Sequence, residues 1–272
     1  MIPLSHPTRI IEADKTRGVF EIDALYPGYG VTIGTALRRV LLSSLAGAAV
    51  TQVKIKNAPH EFSAIPGVME DMIQLILNLK QMRFRSFSEE PQTAILSVKG
   101  EKEVKGSDFK FPSQVELINK DVPIATLTDK NAELEMEIQI EQGIGYVPAE
   151  MLKKGKNEIG TIALDAIFTP IRKVNYSVSN TRVGDRTDYN KVTLEVVTDG
   201  SVAPQEAFRQ AVEILLKQFE IVLAGVPAPV KSKGKREVGD RETDTDAPED
   251  KPKKKTARAK NTAIAKKKKA SS

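Results

Sequence analysis

Hydrophobic and polar positions alternate strictly along AELEMEIQIEQG, residues 132–143. Leu134, Met136, Ile138 and Ile140 occupy one set of positions, and glutamate or glutamine side chains lie between them. Because successive side chains of a strand point to opposite faces, this pattern predicts a strand with one buried and one acidic face. Four more stretches that end at Gly or Asn also predict strands: GVFEIDALYPGYG, AAVTQVKIKN, TAILSVKG and KVTLEVVTDG.

Three stretches have helical spacing instead. The clearest is 204–224, with proline at its first position, Glu206 in its first turn and Gly225 just beyond its end. Its apolar seam is wider than one packed surface requires: Ala207, Phe208, Ala211, Val212, Leu215, Leu216, Phe219, Val222 and Leu223. A second helix is predicted at 66–80, where methionines 69 and 72 are expected to fill core space. Helices among several strands indicate the α+β class.

The third helical stretch, GTALRRVLLSSLAGAAV at residues 34–50, places two arginines among apolar and small residues. On a helical wheel its apolar side chains cover roughly 240°, whereas a helix on one core needs only about 100°. We therefore expect it to be covered on two sides, by its own domain and by another protein. Arg39 falls opposite the centre of the apolar arc, and Arg38 falls inside it. Either both guanidinium groups reach water, or at least one of them binds a partner protein.

The basic excess of the chain lies in one segment. Residues 231–272 contain 15 Lys and Arg against 7 Asp and Glu, a net charge of +8, so the remaining residues carry −3 of the total +5. The segment has no aromatic residue and only two large apolar ones, Val238 and Ile264, so we expect it to be disordered. The chain has no cysteine, no apolar run of membrane-spanning length and no secretory signal in its first residues. Cytoplasmic localisation is the resulting expectation.

Few residues are suited to catalysis or metal binding. GYGVTIG, residues 28–34, has the wrong spacing for a dinucleotide fingerprint and lacks the Lys-Ser/Thr pair of a P-loop, which favours a tight turn over a phosphate site. His6 and His60 are the two histidines, too few for most metal sites or a catalytic triad. Asp244 and Asp246 form an Asp-x-Asp pair inside the segment expected to be disordered. We therefore expect no catalytic residue, metal site or cofactor in this chain.

The polar run NTRVGDRTDYNK, residues 180–191, lies next to the strand VTLEVV. It contains Arg182, Asp185, Arg186 and Asp188. These side chains suit either a solvated hairpin or a docking surface rich in arginine and hydrogen-bonding groups. Both alternatives stay open at this point.

Together these segments resemble the amino-terminal domain of the bacterial-type RNA polymerase alpha subunit family. The matching stretches follow the family's order over most of residues 15–225: GYGVTIGTALRRVLLSSLAGAAVTQVKI, HEFSAIPGVMEDMIQLILNLK, GIGYVPAE, LDAIFTPIRKVNYSVSNTRVGDRTDYNKVTLEV and TDGSVAPQEAFRQAVEILLKQFE. The resemblance implies a dimerisation subdomain, a sheet plus two long helices at residues 1–49 and 168–230, interrupted by an inserted, mostly β subdomain at 50–167. It also implies a homodimer that serves as the assembly platform for the beta and beta-prime subunits in transcription.

The resemblance further implies roles for particular residues. It places beta-subunit binding at Arg38, Arg39, His60, Glu61, Ser63, Gly67 and Val68. It places beta-prime binding at Arg182, Arg186, Thr187 and Asp188, and dimer contacts at Leu37, Leu41, Phe208, Val212, Leu215 and Phe219. In the family the large subunits carry out catalysis and hold Mg²⁺, so this chain is expected to be a non-catalytic subunit of the nucleotidyltransferase complex.

The lysine-rich tail, residues 231–272, departs from the family pattern. Most members carry there a linker and a folded carboxy-terminal domain that binds promoter DNA. The tail either attracts DNA nonspecifically through contacts with phosphates or is merely solvated. The alternative function is a stand-alone dimeric nucleic-acid-binding protein that acts through this tail. Against that alternative, the rest of the chain is acidic and shows no basic and aromatic stacking motif.

Overall fold

A computed structural model describes residues 3–58, 60–152 and 160–226. Over these ranges it has four helices: α1 (Tyr29–Ser43), α2 (Met72–Leu79), α3 (Ala149–Leu152) and α4 (Pro204–Ala224). The strands are β1 (Arg9–Ala13), β2 (Arg17–Leu25), β3 (Ala46–Ile55), β4 (Phe84–Ser86), β5 (Gln92–Lys99), β6 (Lys102–Lys105), β7 (Val115–Leu117), β8 (Pro123–Leu127), β9 (Glu133–Ile144), β10 (Tyr146–Val147), β11 (Thr161–Ala163), β12 (Ala166–Ile167), β13 (Ile171–Val183) and β14 (Arg186–Thr198). The α+β prediction is confirmed, whereas the predicted disorder of 231–272 lies outside the described residues.

Antiparallel pairing organises the strands into two main sheets. One sheet has the order β5-β9-β3-β4-β7, with β11 also paired to β3, and the other has the order β1-β2-β14-β13. Two short ribbons, β6 with β8 and β10 with β12, complete the pattern. Strand β9, which lies between β5 and β3, is the strand that the alternating pattern of residues 132–143 predicts. Leu134, Met136, Ile138 and Ile140 all point into the core, as predicted.

Each main sheet is covered by helices on one face, which produces two separate apolar cores. The larger core lies within residues 50–164, where α2 inserts Met72, Leu75 and Leu79 against the six-stranded sheet. The smaller core joins α1, α4 and the four-stranded sheet, and its members lie within residues 20–45 and 171–211. The predicted subdomain boundaries fall between these ranges. The division into subdomains itself stays a prediction.

Helix α1 begins earlier than the sequence pattern indicated, at Tyr29 rather than residue 34, and it ends at Ser43. Residues 46–50, at the end of the quoted stretch, belong to β3, which begins two residues before the strand predicted at 48–57. The early start depends on two glycines that pack on β13. A Cβ atom on Gly34 would lie 2.6 Å from the Tyr176 ring, and one on Gly30 would lie 2.8 Å from Val178. Glycine is required there because the helix backbone approaches the strand so closely.

Helix α2 begins later than predicted, at Met72 rather than residue 66. The intervening residues are held as a loop, because the Glu70 carboxylate accepts hydrogen bonds from the Thr126 backbone N–H at 2.6 Å and the Thr126 hydroxyl at 2.9 Å. The Asp71 side chain then accepts from the Gln74 backbone N–H at 2.7 Å and caps the first turn. A contact with β8, far along the chain, therefore overrides the local helical pattern.

Two arginines on and before β4 connect the larger core to the loop that leads into α4. The Arg85 Nε donates to the Ser201 carbonyl at 2.8 Å, and the Arg83 Nε lies 3.8 Å from an Asp199 carboxylate oxygen. Burial lowers the pKa of the Arg83 guanidinium, and the neighbouring Arg172 adds to this effect while Asp199 opposes it. These contacts orient the start of α4 relative to the inserted sheet.

Candidate functional site

The glycine-rich turn before α1 is closed by a side chain from β14. The backbone N–H groups of Gly28 and Gly30 donate to the Asn190 side-chain oxygen at 2.8 and 3.3 Å. Gly28 has a φ of 89°, in the left-handed region that favours glycine. Free amides at a helix start would suit an anion. Because Asn190 occupies that position, the geometry supports the tight-turn interpretation over a phosphate site.

Both arginines of α1 reach solvent. Arg38 and Arg39 are exposed, and within the described residues neither guanidinium group forms an ion pair or a side-chain hydrogen bond. The Arg39 carbonyl accepts a hydrogen bond from the Ser43 hydroxyl at 2.7 Å, inside the helix. The single chain therefore leaves both guanidinium groups available to another protein, and either alternative from the sequence remains open.

The wide apolar arc of α1 is only partly covered by its own domain. Leu37 and Leu41 are buried in the smaller core, which leaves almost none of their surface for a second chain. Tyr29, Val31 and Leu42 of the same helix remain exposed. The apolar surface that α1 offers to a partner therefore comes from its outer residues.

The first and last turns of helix α4 differ in burial. Ala207 and Ala211 are fully buried near its start, and Phe208, Val212 and Leu215 pack on the smaller core while remaining partly accessible. Ile214 also packs on the smaller core. Five large apolar side chains of the last turns are exposed: Leu216, Phe219, Ile221, Val222 and Leu223. Phe219 is 65% exposed and Leu223 is 74% exposed. We call Leu216, Phe219, Val222 and Leu223, which share one side of the helix, the α4 patch, whereas Ile221 lies on the opposite side. A continuous exposed apolar surface of this kind marks an interaction site.

The segment 60–68 forms a compact turn on the larger core. The Ser63 hydroxyl lies 3.1 Å from the His60 Nδ1, and the Ser63 backbone N–H donates to the His60 carbonyl at 3.0 Å. The Gly67 carbonyl accepts from the Thr128 backbone N–H at 2.9 Å, and Val68 pairs with Leu127 as an isolated bridge. His60 and Glu61 are exposed. The turn thus presents polar side chains while its second half is anchored to the sheet region.

Apolar side chains in and beside this turn are exposed. Phe62 and Met69 are strongly exposed, and so are Ile73 and Leu77 on the outer face of α2. Met72 fills the core as expected, but Met69 is 68% exposed, so its expected core role is wrong. Residues 69, 73 and 77 follow a spacing of four, which is the signal that could have revealed a second apolar face.

The polar run at 180–191 forms the end of the β13–β14 hairpin, with Gly184 at its turn. The Arg186 Nε and Nη2 donate to the two carboxylate oxygens of Asp188 at 3.0 and 2.6 Å. These hydrogen bonds raise the pKa of Arg186 and hold the pKa of Asp188 below its ordinary value of 3.8. Among the described residues, Arg182 donates to the Gly184 carbonyl alone, at 2.8 Å, and Thr187 is exposed. The hairpin is confirmed, and it presents an ordered charge pair.

Two tyrosines contact Arg186, and sequence reasoning missed both. The Arg186 Cζ lies 5.3 Å from the centroid of the Tyr189 ring and 5.8 Å from that of Tyr26. Tyr189 directly follows the last of the predicted beta-prime residues, Asp188, whereas Tyr26 follows the distant strand β2. Pairing of β2 with β14 brings the two rings together, so no local pattern could have indicated Tyr26.

The described residues offer no grouping suited to a metal: no three His, Cys, Asp or Glu side chains lie close enough together to hold one. Among the described helices, none combines the length and hydrophobicity needed to cross a membrane. The notable surfaces of this part of the chain are therefore the α1 arginines, the α4 patch, the 60–68 turn and the hairpin end.

A family comparison first defines the class of the larger core. Residues 53–169 match the family model described as RNA polymerase Rpb3/RpoA insert domain. This range contains α2 and most of the six-stranded sheet. The inserted core is therefore of the RNA polymerase insert-domain class.

Relatives that cover most of the chain complete the assignment. The DNA-directed RNA polymerase subunit alpha of Symbiobacterium thermophilum is 47% identical over 227 residues, 82% of this chain and 72% of the relative. The subunit of the same name from Thermus thermophilus is 46% identical over 238 residues, 85% of this chain and 75% of the relative. That of Cytophaga hutchinsonii is 47% identical over 217 residues, 78% of this chain and 66% of the relative. The chain belongs to the family of DNA-directed RNA polymerase alpha subunits.

Proposed function

We propose that this chain is a homodimeric assembly subunit of RNA polymerase on which the beta and beta-prime subunits gather. The α4 patch carries the proposal, because its four large apolar side chains are exposed on one side of the last turns of a helix. A second copy would bury this surface, and a two-fold axis would bring the same patch of both chains together. The exposed outer residues of α1, Val31 and Leu42, extend the apolar surface. Phe208, Val212 and Leu215 would contribute their accessible portions.

The beta subunit would dock on the α1 arginines and on the 60–68 turn. Arg38 and Arg39 are exposed with no ion pair among the described residues, so neither has to break an internal contact before it binds a partner. Arginine suits interface ion pairs because its planar group forms several directed hydrogen bonds. At the turn, His60, Glu61 and Ser63 supply polar groups, and the neighbouring Phe62 supplies an exposed ring.

Arg39→Ala in the full chain tests this docking surface. We expect the mass of the dimer to stay unchanged and the affinity for purified beta subunit to fall by about tenfold, the effect of losing roughly 1.4 kcal/mol of contact energy. Arg209→Ala is the matched control, because Arg209 is exposed and forms an ion pair with Glu213 on its own helix. Unaltered capture of beta by the Arg39 variant would overturn the assignment of Arg39.

The beta-prime subunit would dock on the hairpin end, where Arg182, Arg186, Thr187 and Asp188 are exposed. We further propose that the chain is a non-catalytic member of the nucleotidyltransferase complex, with Mg²⁺ held by other subunits. The lack of any metal-suited cluster among the described residues is compatible with this role.

The lysine-rich tail, residues 231–272, would add a nonspecific attraction to DNA. The net charge of +8 on the tail supports this proposal, because each lysine that contacts a DNA phosphate releases counterions. Replacing the four lysines at 266–269 by glutamine should lower the slope of log affinity against log salt by roughly 0.9 for each lysine that contacts a phosphate. An unchanged slope would contradict a DNA role for that lysine run.

A further inference from the structure

Two tyrosine rings and one carboxylate contact the Arg186 side chain. Its guanidinium carbon lies 5.3 Å from the Tyr189 ring centroid and 5.8 Å from the Tyr26 ring centroid. The two rings are 6.2 Å apart and nearly perpendicular, at 79°. We call Tyr26 and Tyr189 the tyrosine clamp. A cation within about 6 Å of a ring centroid is attracted to the electron-rich face of the ring.

Asp188 fixes the orientation of the guanidinium plane. It accepts two parallel hydrogen bonds, from Nε at 3.0 Å and from Nη2 at 2.6 Å. A paired arrangement of this kind restricts rotation as well as adding energy. Nη1 is not used by this carboxylate, and the Arg186 side chain remains 51% exposed. The group is therefore ordered, yet part of it still faces solvent.

Arg182 on the same hairpin provides an internal comparison. It is exposed and donates to the Gly184 carbonyl at 2.8 Å, with no tyrosine ring stacked on it in the described part of the chain. Ordering a long side chain on binding costs conformational entropy. Because the tyrosine clamp and Asp188 already order the Arg186 side chain, Arg186 should lose less conformational entropy than Arg182 when a partner binds.

We propose that Tyr26 and Tyr189 are positioning residues that preset Arg186 for a carboxylate on the beta-prime subunit. The guanidinium edge that Asp188 does not engage suits a carboxylate because a planar guanidinium can offer two parallel N–H groups to it. The tyrosines do not need to touch the partner for this role. The inference rests on the proposed docking of beta-prime at the hairpin end.

The test uses the full-length dimer and purified beta-prime subunit. Tyr26→Leu and Tyr189→Leu remove the ring faces, and each should weaken beta-prime binding by roughly two- to fivefold, the range of one exposed cation–π contact. Tyr189→Phe keeps the ring and should restore most of the affinity. Tyr146→Leu, at an exposed tyrosine outside the clamp, is the control and should leave binding unchanged. Melting temperatures verify the fold, and if Tyr189→Leu unfolds, the half-buried Tyr26 carries the test.

A double-mutant cycle separates positioning from general stability. In an Arg186→Ala background, the tyrosine substitutions should have no further effect on beta-prime binding, because there is no guanidinium left to position. The same loss in both backgrounds would overturn the inference. If Arg186→Ala weakens binding and the leucine variants do not, the clamp is overturned while the docking proposal stands. If Arg186→Ala leaves binding unchanged, the proposed docking at Arg186 fails, and the clamp fails with it.

Discussion

The larger core and the α4 patch use the same kinds of side chain in opposite ways. On α2, Leu75 and Leu79 are completely buried between the helix and the six-stranded sheet. On the last turns of α4, Phe219 and Leu223 are mostly exposed, because the contacts of α4 with the four-stranded sheet lie at its opposite end. The contrast shows that one apolar pattern can serve either the chain's own core or a surface for another protein.

The difference follows from geometry as much as from composition. At about 1.5 Å per residue, α4 is roughly 32 Å long, and its buried members end at Ala211. Alanine at 207 and 211 lets the helix approach Phe20 and the rest of the smaller core, where the Phe20 and Phe208 rings stack at 4.6 Å. Val212, Ile214 and Leu215 still pack on the smaller core, and beyond Leu215 the helix continues without a covering layer among the described residues.

Among the substitutions that test the difference between the larger core and the α4 patch, Phe219→Asp should have the largest effect. The substitution places a carboxylate in the α4 patch, and in a two-fold dimer it enters the interface twice. Because a single buried hot-spot residue contributes about 2–4 kcal/mol, we expect the dissociation constant of the dimer to rise by at least about a thousandfold. Light scattering at micromolar concentration should then report monomer mass.

Lys217→Asp is the control for that experiment. Lys217 is exposed and lies two residues away, which places it on nearly the opposite side of the helix from Phe219. The control should remain dimeric although it introduces the same side chain. A stable dimer of the Phe219 variant would show that the α4 patch is not the dimer interface.

A second experiment measures how much burial in the larger core contributes to stability. Leu75→Ala removes a fully buried side chain from the larger core, and we expect the free energy of unfolding to fall by about 2–5 kcal/mol. Leu77→Ala, on the same helix but 49% exposed, should cost much less. Denaturant unfolding of the two variants measures both values. Equal losses would mean that Leu77 is already covered in the free protein.

Local signals explain how much of this arrangement could be predicted. The bounds of α4 were predicted correctly because proline at its first position and Gly225 after its end act within the helix itself. The start of α2 was missed because Glu70 is bound by Thr126, which no local pattern encodes. The start of α1 was missed for a similar reason, since packing on Tyr176 makes use of glycines that otherwise read as a turn.

For the candidate site residues, too, local sequence features were predictable and contacts between distant residues were not. Exposed charges such as Arg39 and Arg186 could be singled out by position and by resemblance, and the structure presents both at the surface. The contact between Arg186 and Tyr26 could not, because strand pairing alone brings them together. A wide apolar arc likewise predicts an additional partner surface, but only the fold reveals which turns of the helix remain uncovered.

The smallest expected effect concerns Asp165, which ties the larger core to α3. Its pKa lies below the ordinary 3.8, first because the Ala149 backbone N–H donates to it and then because Lys80 lies 3.2 Å away. A carboxyl with a depressed folded pKa adds stability above its unfolded pKa, and that contribution is lost as the pH falls through the folded pKa. The difference in melting temperature between wild type and Asp165→Asn should therefore be present near pH 6 and shrink as the pH falls below 3.8 and through the lower folded pKa. Asp121→Asn, at an exposed turn, is the control, and a difference for Asp165→Asn that persists unchanged into acid would contradict an electrostatic origin.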